Sequence, residues 1–236
     1  MAVWRNISYS KHELKYRLRY STRRTMAITV HPDGRIEVIA PTGTGLKEVE
    51  ARIRKRARWI VRQQLHFEQF RPRSKPRRYV GGETHLYLGR QYRLKLAKGD
   101  HDEVKLKRGL LVVTSRGRQT ARRVKELITA WYQMEAKARF AERYWRIARR
   151  FIRLGYTISP PQVRRMSRRW GSYSKSGRVL LNPELVRAPT TCIDYVIVHE
   201  LAHTVYSNHG AKFFELLERM MPDWRRRKDL LERTLA

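Results

Sequence analysis

The chain has 236 residues, enough for one large domain or two small ones, and 41% of them are hydrophobic, which suffices for a packed core. A formal net charge of +32 favours polyanionic partners such as nucleic acid or nucleotides, and the one cysteine, Cys192, excludes an intramolecular disulfide and points to a reducing compartment. Met1 to Tyr20 lacks the apolar core of a signal peptide and no apolar run approaches transmembrane length, so the expectation is a cytoplasmic protein with no membrane partner.

The first forty residues read as strands. Leu14 to Tyr20, Thr25 to His31 and Arg35 to Ala40 carry β-branched and aromatic residues in rough alternation. Pro32-Asp33-Gly34 predicts the turn between the last two, since Pro fixes φ and Gly supplies a positive φ. Pro41 to Gly45 has G-x-G spacing but no third glycine, and reads as a loop into a helix.

Leu46 to Phe70 has helical period, with Val49, Ile53, Trp59, Ile60 and Phe67 among its apolar positions. Its other faces are dense in arginine, Arg54 and Arg58 among them, and such a helix can be merely solvated or can grip phosphates. Arg71 to Arg78 reads as a basic connector. Extended segments resume at Thr84 to Leu88, Gln91 to Ala97, Val104 to Lys107 and Leu110 to Ser115, with turns at Gly89-Arg90 and Arg108-Gly109.

Gln119 to Leu154 reads as one long helix or two in series, stopped at Gly155. Trp131, Tyr132, Met134, Ala138, Tyr144, Trp145, Ala148 and Ile152 supply its apolar positions, and Arg146 and Arg150 belong to a second strongly basic surface. Val163 to Tyr173 and Arg178 to Leu181 read as short strands around a turn at Ser174 to Gly177. A helix over the histidine-rich stretch follows, then one from Ala211 to Met221, then a short basic helix after Pro222. No internal repeat is visible.

The chemistry concentrates in His199-Glu200-Leu201-Ala202-His203, with His209 six positions on. Residues four apart on an α-helix share a face, so His199 and His203 can close on one metal ion. Glu200 projects about 100° around the helix, where it reaches a water on the metal and not the metal itself. Two imidazoles and a carboxylate base are the zinc-hydrolase pattern, and His209, coming off the turn, is the candidate third ligand. Thr191 and Asp194 have capping-box spacing. Ile193, Ile197, Leu201 and Val205 form a stripe roughly opposite the two histidines. Ser207 and Asn208 offer a stop, Asn being tolerant of the left-handed conformation. Tyr206 falls near the histidine face by helical phase, either as an oxyanion donor or as packing behind the ligands.

These stretches resemble the YgjP-like family of predicted metal-dependent hydrolases, relatives of the SprT and Wss1-like zincins. The resemblance is carried by Met166 to Ser172, Leu181-Asn182-Pro183-Glu184-Leu185, Ile193 to His203, Asn208-His209 and Met221-Pro222-Asp223. His31 to Arg35, Trp59-Ile60 and Tyr87-Leu88-Gly89-Arg90 extend it toward the N-terminus. It implies His199, His203 and His209 as metal ligands and Glu200 as catalytic base; Zn²⁺ is the metal expected from the two-imidazole, one-carboxylate pattern. It also implies that Arg169, Trp170, Gly171 and Ser172 lie on a strand beside the cleft, as substrate-binding candidates together with Tyr206. Two positions depart from the family pattern: Tyr173 stands where cysteine is frequent, and Gly210 where serine is expected. The metzincins share the six-residue spacing but need a glycine where this chain has Tyr206.

The expected fold is α+β, a β-rich N-terminal part followed by a minimal zincin-like helical core with a small antiparallel sheet. The expected division is 1–116, a β-rich domain with one long basic helix, and 117–236, the metal-binding domain. The leading function is a zinc metallopeptidase acting on or near nucleic acid, with Arg54, Arg58, Arg146 and Arg150 as phosphate-contact candidates. The alternatives are a nucleoside triphosphate phosphohydrolase and a nucleic-acid-binding protein with a structural zinc. An intact Glu200 argues against the last.

Overall fold

The computed structural model of the protein describes residues 2–31, 33–68, 77–167, 169–174 and 176–235, with the side chains of 66 and 67 excepted. The basic connector read at Arg71 to Arg78 lies outside the described residues save for Arg77 and Arg78, as do Pro32 and the last two positions of the helix read to Phe70. The fold is mixed α and β, β-rich toward the N-terminus, with helices dominating after residue 120. Among the described residues no helix is long and apolar enough to cross a membrane.

The chain forms two compact units, 1–74 and 75–235. In the first, β1 (Ala2–Tyr9), β2 (His12–Ser21), β3 (Ala27–Val30) and β4 (Ile36–Pro41) make a sheet in the order β1-β2-β4-β3. The β2–β4 pair is parallel and the other two are antiparallel. Leu14, Tyr16 and Leu18 on β2 and Ile36 and Val38 on β4 turn one face inward. The helix α1 (Leu46–Glu68) covers that face with Val49, Ile53, Ala57 and Ile60. Trp59, read as an apolar position of this helix, is not part of the seam and is 39% exposed. Strand β1 escapes sequence reading because Ile7 is its one buried residue, so it shows no alternation of apolar and polar positions.

The second unit opens with β5 (Thr84–Tyr87), β6 (Arg90–Lys98), β7 (Glu103–Lys107) and β8 (Leu110–Ser115), in the order β5-β6-β8-β7. The pairing is antiparallel, parallel, antiparallel, as in the first sheet, and a long helix follows again, α2 (Ala121–Ile152). The chain thus repeats one β4α topology, although its sequence shows no repeat. Topology is conserved by which strands pair, and that leaves side chains free to differ. The β5–β6 turn is Leu88-Gly89, one residue earlier than read, with both φ positive.

The division at residue 74 places the second sheet with the C-terminal helices and not, as read, with the first sheet. The reason is packing: Leu94, Leu111 and Val113 share one core with Val124, Ile128, Phe140 and Ile197. Helix α2 is a single element, capped by the Thr120 hydroxyl accepting from the Arg123 N–H at 3.2 Å. Its Met134, Trp145 and Ile152 stand exposed, contrary to their reading as apolar-face positions.

The rest of the unit is β9 (Gln162–Val163), β10 (Gly171–Tyr173), β11 (Val179–Leu181), a 3-10 turn at Pro183–Arg187, and α3 (Thr190–Ala202), α4 (Ala211–Met220) and α5 (Trp224–Leu235). Strands β10 and β11 form the expected antiparallel hairpin, and β9 adds to β11 in parallel. Val163 to Tyr173 is therefore not one strand: residues 164–167, 169 and 170 are not in strand conformation. Buried Asn182 pins that stretch, its Nδ2 donating to the carbonyls of Met166 and Arg169 at 2.8 and 2.9 Å.

Candidate active site

Helix α3 runs through the core of its unit. Cys192, Ile193, Tyr195, Val196, Ile197, Val198, Glu200, Leu201 and Ala202 are all buried. This corrects the single-stripe reading: neighbours surround the helix, so apolar residues occupy nearly every side. The capping box does not form either. The helix starts at Pro189 without a side-chain cap. The Asp194 carboxylate is instead held by Arg143 of α2, Nε to Oδ1 at 2.7 Å and Nη2 to Oδ2 at 2.6 Å. A two-pronged, charge-assisted pair of this kind fixes orientation as well as distance.

The helix closes at His203, earlier than the read stop at Ser207-Asn208. The amides of Thr204 and Val205 donate to the carbonyls of Leu201 and Ala202 at 3.0 and 3.1 Å, a tight final turn. Asn208 does not take the left-handed conformation. The chain then returns so that His209 comes back against α3, immediately before α4. Its Nε2 lies 3.0 Å from Nε2 of His199. The ring centroids of His199 and His203 are 5.2 Å apart, and that of His209 is 5.0 and 4.7 Å from them. One nitrogen of each lies within 4.8 Å of the others.

The rings are held from behind. The carbonyl of Tyr206 lies 3.0 Å from Nδ1 of His203, which leaves Nε2 of that ring for the site. Phe213, fully buried on α4, touches all three imidazoles with centroids at 5.1, 4.7 and 4.7 Å. Burial, helped by the neighbouring His203 and His209, pushes the His199 imidazole down to about 3, and burial also lowers His209. Both are therefore neutral at neutral pH, the form that ligates a metal. Three convergent imidazoles match the donor set of a catalytic zinc, which leaves a coordination position open. Two nitrogens on one tetrahedral zinc lie about 3.3 Å apart, close to the observed 3.0 Å between His199 and His209.

Glu200 is 7% exposed and faces β10. Burial raises its carboxyl to about 7, opposed by the charge of Arg169 and by the backbone N–H of Tyr173, which donates to it. Gly171 allows the contact: a Cβ there would stand 2.6 Å from Glu200 Oε1. Tyr173 also stacks on His203, with ring centroids 6.5 Å apart.

The structure thus brings together His199, His203, His209, Glu200 and Gly171. Arg169 is exposed but close enough for its charge to act on Glu200. Trp170 is half-buried against the core, and Ser172 is half-buried on β10. Tyr206 meets the site through its carbonyl, and its side chain packs on the core. Arg54 and Arg58 are exposed in the first unit. On α2, Arg146 is exposed, while Nη1 of Arg150 donates to the Met220 carbonyl at 2.8 Å. Sequence reading missed Phe213 and gave Tyr173 and Asn182 no role at the site. Phe213 follows His209 by one helical turn, a spacing that signals its place; Tyr173 acts on Glu200 through backbone, which leaves no side-chain signal.

The profile of a family described as YgjP-like, metallopeptidase domain, matches residues 24–234. The crystal structure of the metallopeptidase zymogen of Pyrococcus abyssi abylysin is similar at 26% sequence identity over 40% of this chain and 87% of that one, with a TM-score of 0.30. No curated protein matches the chain.

Proposed function

We propose that this chain, which belongs to the YgjP-like metallopeptidase family, uses zinc, with Glu200 as its general base, and meets its protein substrates on or near nucleic acid. Family membership makes it a metal-dependent hydrolase of peptide bonds. The observation that most supports the finer reading is the convergence of the three imidazoles within 4.8 Å beside a buried carboxyl on the same helix.

His199, His203 and His209 would hold the zinc, which would supply there a Lewis acid able to acidify water and polarise a carbonyl. The protein's part is positioning and proton transfer. Burial holds the Glu200 carboxyl near neutrality in the metal-free site, and a nearby cation draws it toward the carboxylate. One carboxylate oxygen then takes the proton of the attacking water and delivers it to the departing amine. The Tyr173 N–H and the Arg169 charge favour that ionised form. Fully buried Phe213 packs against all three imidazoles and helps hold them in place.

The nucleic-acid part of the proposal rests on the net charge of +32 and on exposed Arg54, Arg58 and Arg146. The test is hydrolysis of protein substrates by zinc-loaded protein, with and without DNA, against a Glu200→Gln control. DNA-stimulated cleavage lost in the variant is the expected result. Cleavage that Glu200→Gln leaves intact refutes the base assignment, and cleavage indifferent to DNA refutes the nucleic-acid part.

A further inference from the structure

In the first unit, the edge strand β3 and the flank of α1 enclose a groove of about 700 Å³. Met26, Ile28, Arg52, Lys55, Arg56 and Trp59 line it. The last four recur at i, i+3, i+4 and i+7, a single helical stripe beside the buried seam. Arg52 is paired with Glu48 at 3.0 Å, but Lys55 and Arg56 have no carboxylate partner among the described residues. Trp59 closes this stripe with an indole that is 39% exposed.

The fold does not require this chemistry. The second unit has the same topology and a groove in the same place, between its edge strand β7 and α2. There Asp102, Glu103 and Glu135 join the lining, and Trp131 is 7% exposed. One architecture thus carries a mixed-charge groove with a buried indole and a purely cationic one with an open indole.

We propose that the β3–α1 groove binds single-stranded nucleic acid, one base stacking on Trp59 and the flanking phosphates lying at Lys55 and Arg56. Base stacking on an aromatic face combined with a cationic track is the general chemistry of single-strand binding. A duplex keeps its base faces covered. An acidic peptide uses the cations and the free edge of β3 but gains little from a flat indole. The inference deepens the nucleic-acid part of the proposed function, rests on it, and is independent of the metal centre.

The test is fluorescence anisotropy of the full chain with labelled oligothymidine, a blunt duplex and a polyglutamate peptide, alongside circular dichroism of each variant. Oligothymidine is expected to bind tightest. Trp59→Ala weakens it roughly tenfold or more, and Trp59→Phe, which keeps an aromatic face, recovers much of the loss. The pair Lys55→Ala and Arg56→Ala reduces the salt slope of log K by about 1.4. If Trp59→Ala binds oligothymidine as wild type does, the groove assignment is overturned while nucleic-acid binding elsewhere stands. If wild type binds neither nucleic acid, both fall. Polyglutamate binding as tight as oligothymidine makes the groove a site for acidic peptides and overturns the proposal.

Discussion

Gly171 on β10 lies so close to Glu200 on α3 that a Cβ at position 171 would stand 2.6 Å from Oε1 and 2.7 Å from Cγ of the glutamate. The backbone of the strand forms one wall of the carboxyl's cavity. Its φ is not in the positive range, so the glycine serves space and not backbone freedom. Gly171→Ala should push the carboxyl off its position without touching the histidines. The expected outcome is an unchanged metal content, read by elemental analysis, with peptidase turnover down about a hundredfold.

Glu200 and His203 should separate metal binding from turnover. Glu200→Gln keeps the ligand set and is expected to retain the metal while losing activity by about two to four orders of magnitude. His203→Ala should lose both. Metal stoichiometry and hydrolysis measured on the same preparations distinguish the two roles.

His85 should make stability fall in mild acid. The side chain is 1% exposed, with Nε2 3.1 Å from Oε2 of Glu83 and Nδ1 unpartnered among the described residues. Burial, then the charge of Arg77, pushes its pKa down to about 4, from the ordinary 6.5. Between pH 6.5 and 4 the unfolded chain holds a proton that the folded chain does not. Stability therefore falls as pH drops through that window, by on the order of 2–3 kcal/mol. Denaturant titrations at pH 7.5 and 4.5 should show this loss in wild type and a smaller one in His85→Phe. Burial raises the Glu83 carboxyl, but the amides of Arg78 and Tyr79 outweigh it and hold the group below its ordinary value, so its contribution to stability is also lost as the pH falls.

Gly89 should prove structural. Its φ is +79°, and a Cβ would meet Pro189 at 2.7 Å, where the β5–β6 hairpin abuts the start of α3. The hairpin is tied there by the amides of Leu88 and Gly89 donating to the carbonyls of Val186 and Arg187 at 2.8 and 3.1 Å. Gly89→Ala combines a disfavoured conformation with a clash. It is expected to cost about 2 kcal/mol or more in a chemical denaturation experiment.

Nucleic-acid affinity should be salt-controlled. Six phosphate contacts on a duplex would lose about a thousandfold in affinity between roughly 50 and 200 mM salt. Joint replacement of Arg54, Arg58, Arg146 and Arg150 should flatten that slope and leave the metal in place. Arg150 also bonds the Met220 carbonyl, so its replacement alone is expected to lower the melting temperature slightly.

What the sequence by itself determined was periodicity and punctuation. The four-residue spacing of His199 and His203 puts them one turn apart on any α-helix, and Glu200 follows at a fixed angle. The turns at Gly34, Gly109 and Gly155, the start of α1 and, to within two residues, the ends of α2 follow from local backbone preference, which a few neighbouring residues decide. Tertiary structure alone decided the rest, because those features depend on what lies across the core. Asp194 has capping spacing, yet Arg143, 51 positions earlier, claims it. Ile193 and Ile197 look like a stripe, but other elements cover α3 on its remaining sides, so Val196 and Val198 are buried as well. Strands β6 and β8 pair in parallel across an intervening strand, which fixes the β4α repeat without any repeated residue. Gly171 shows the same division most plainly: in the chain it stands between Trp170 and Ser172, 29 residues before Glu200, and only the packing of β10 on α3 makes its missing side chain the space the carboxyl occupies.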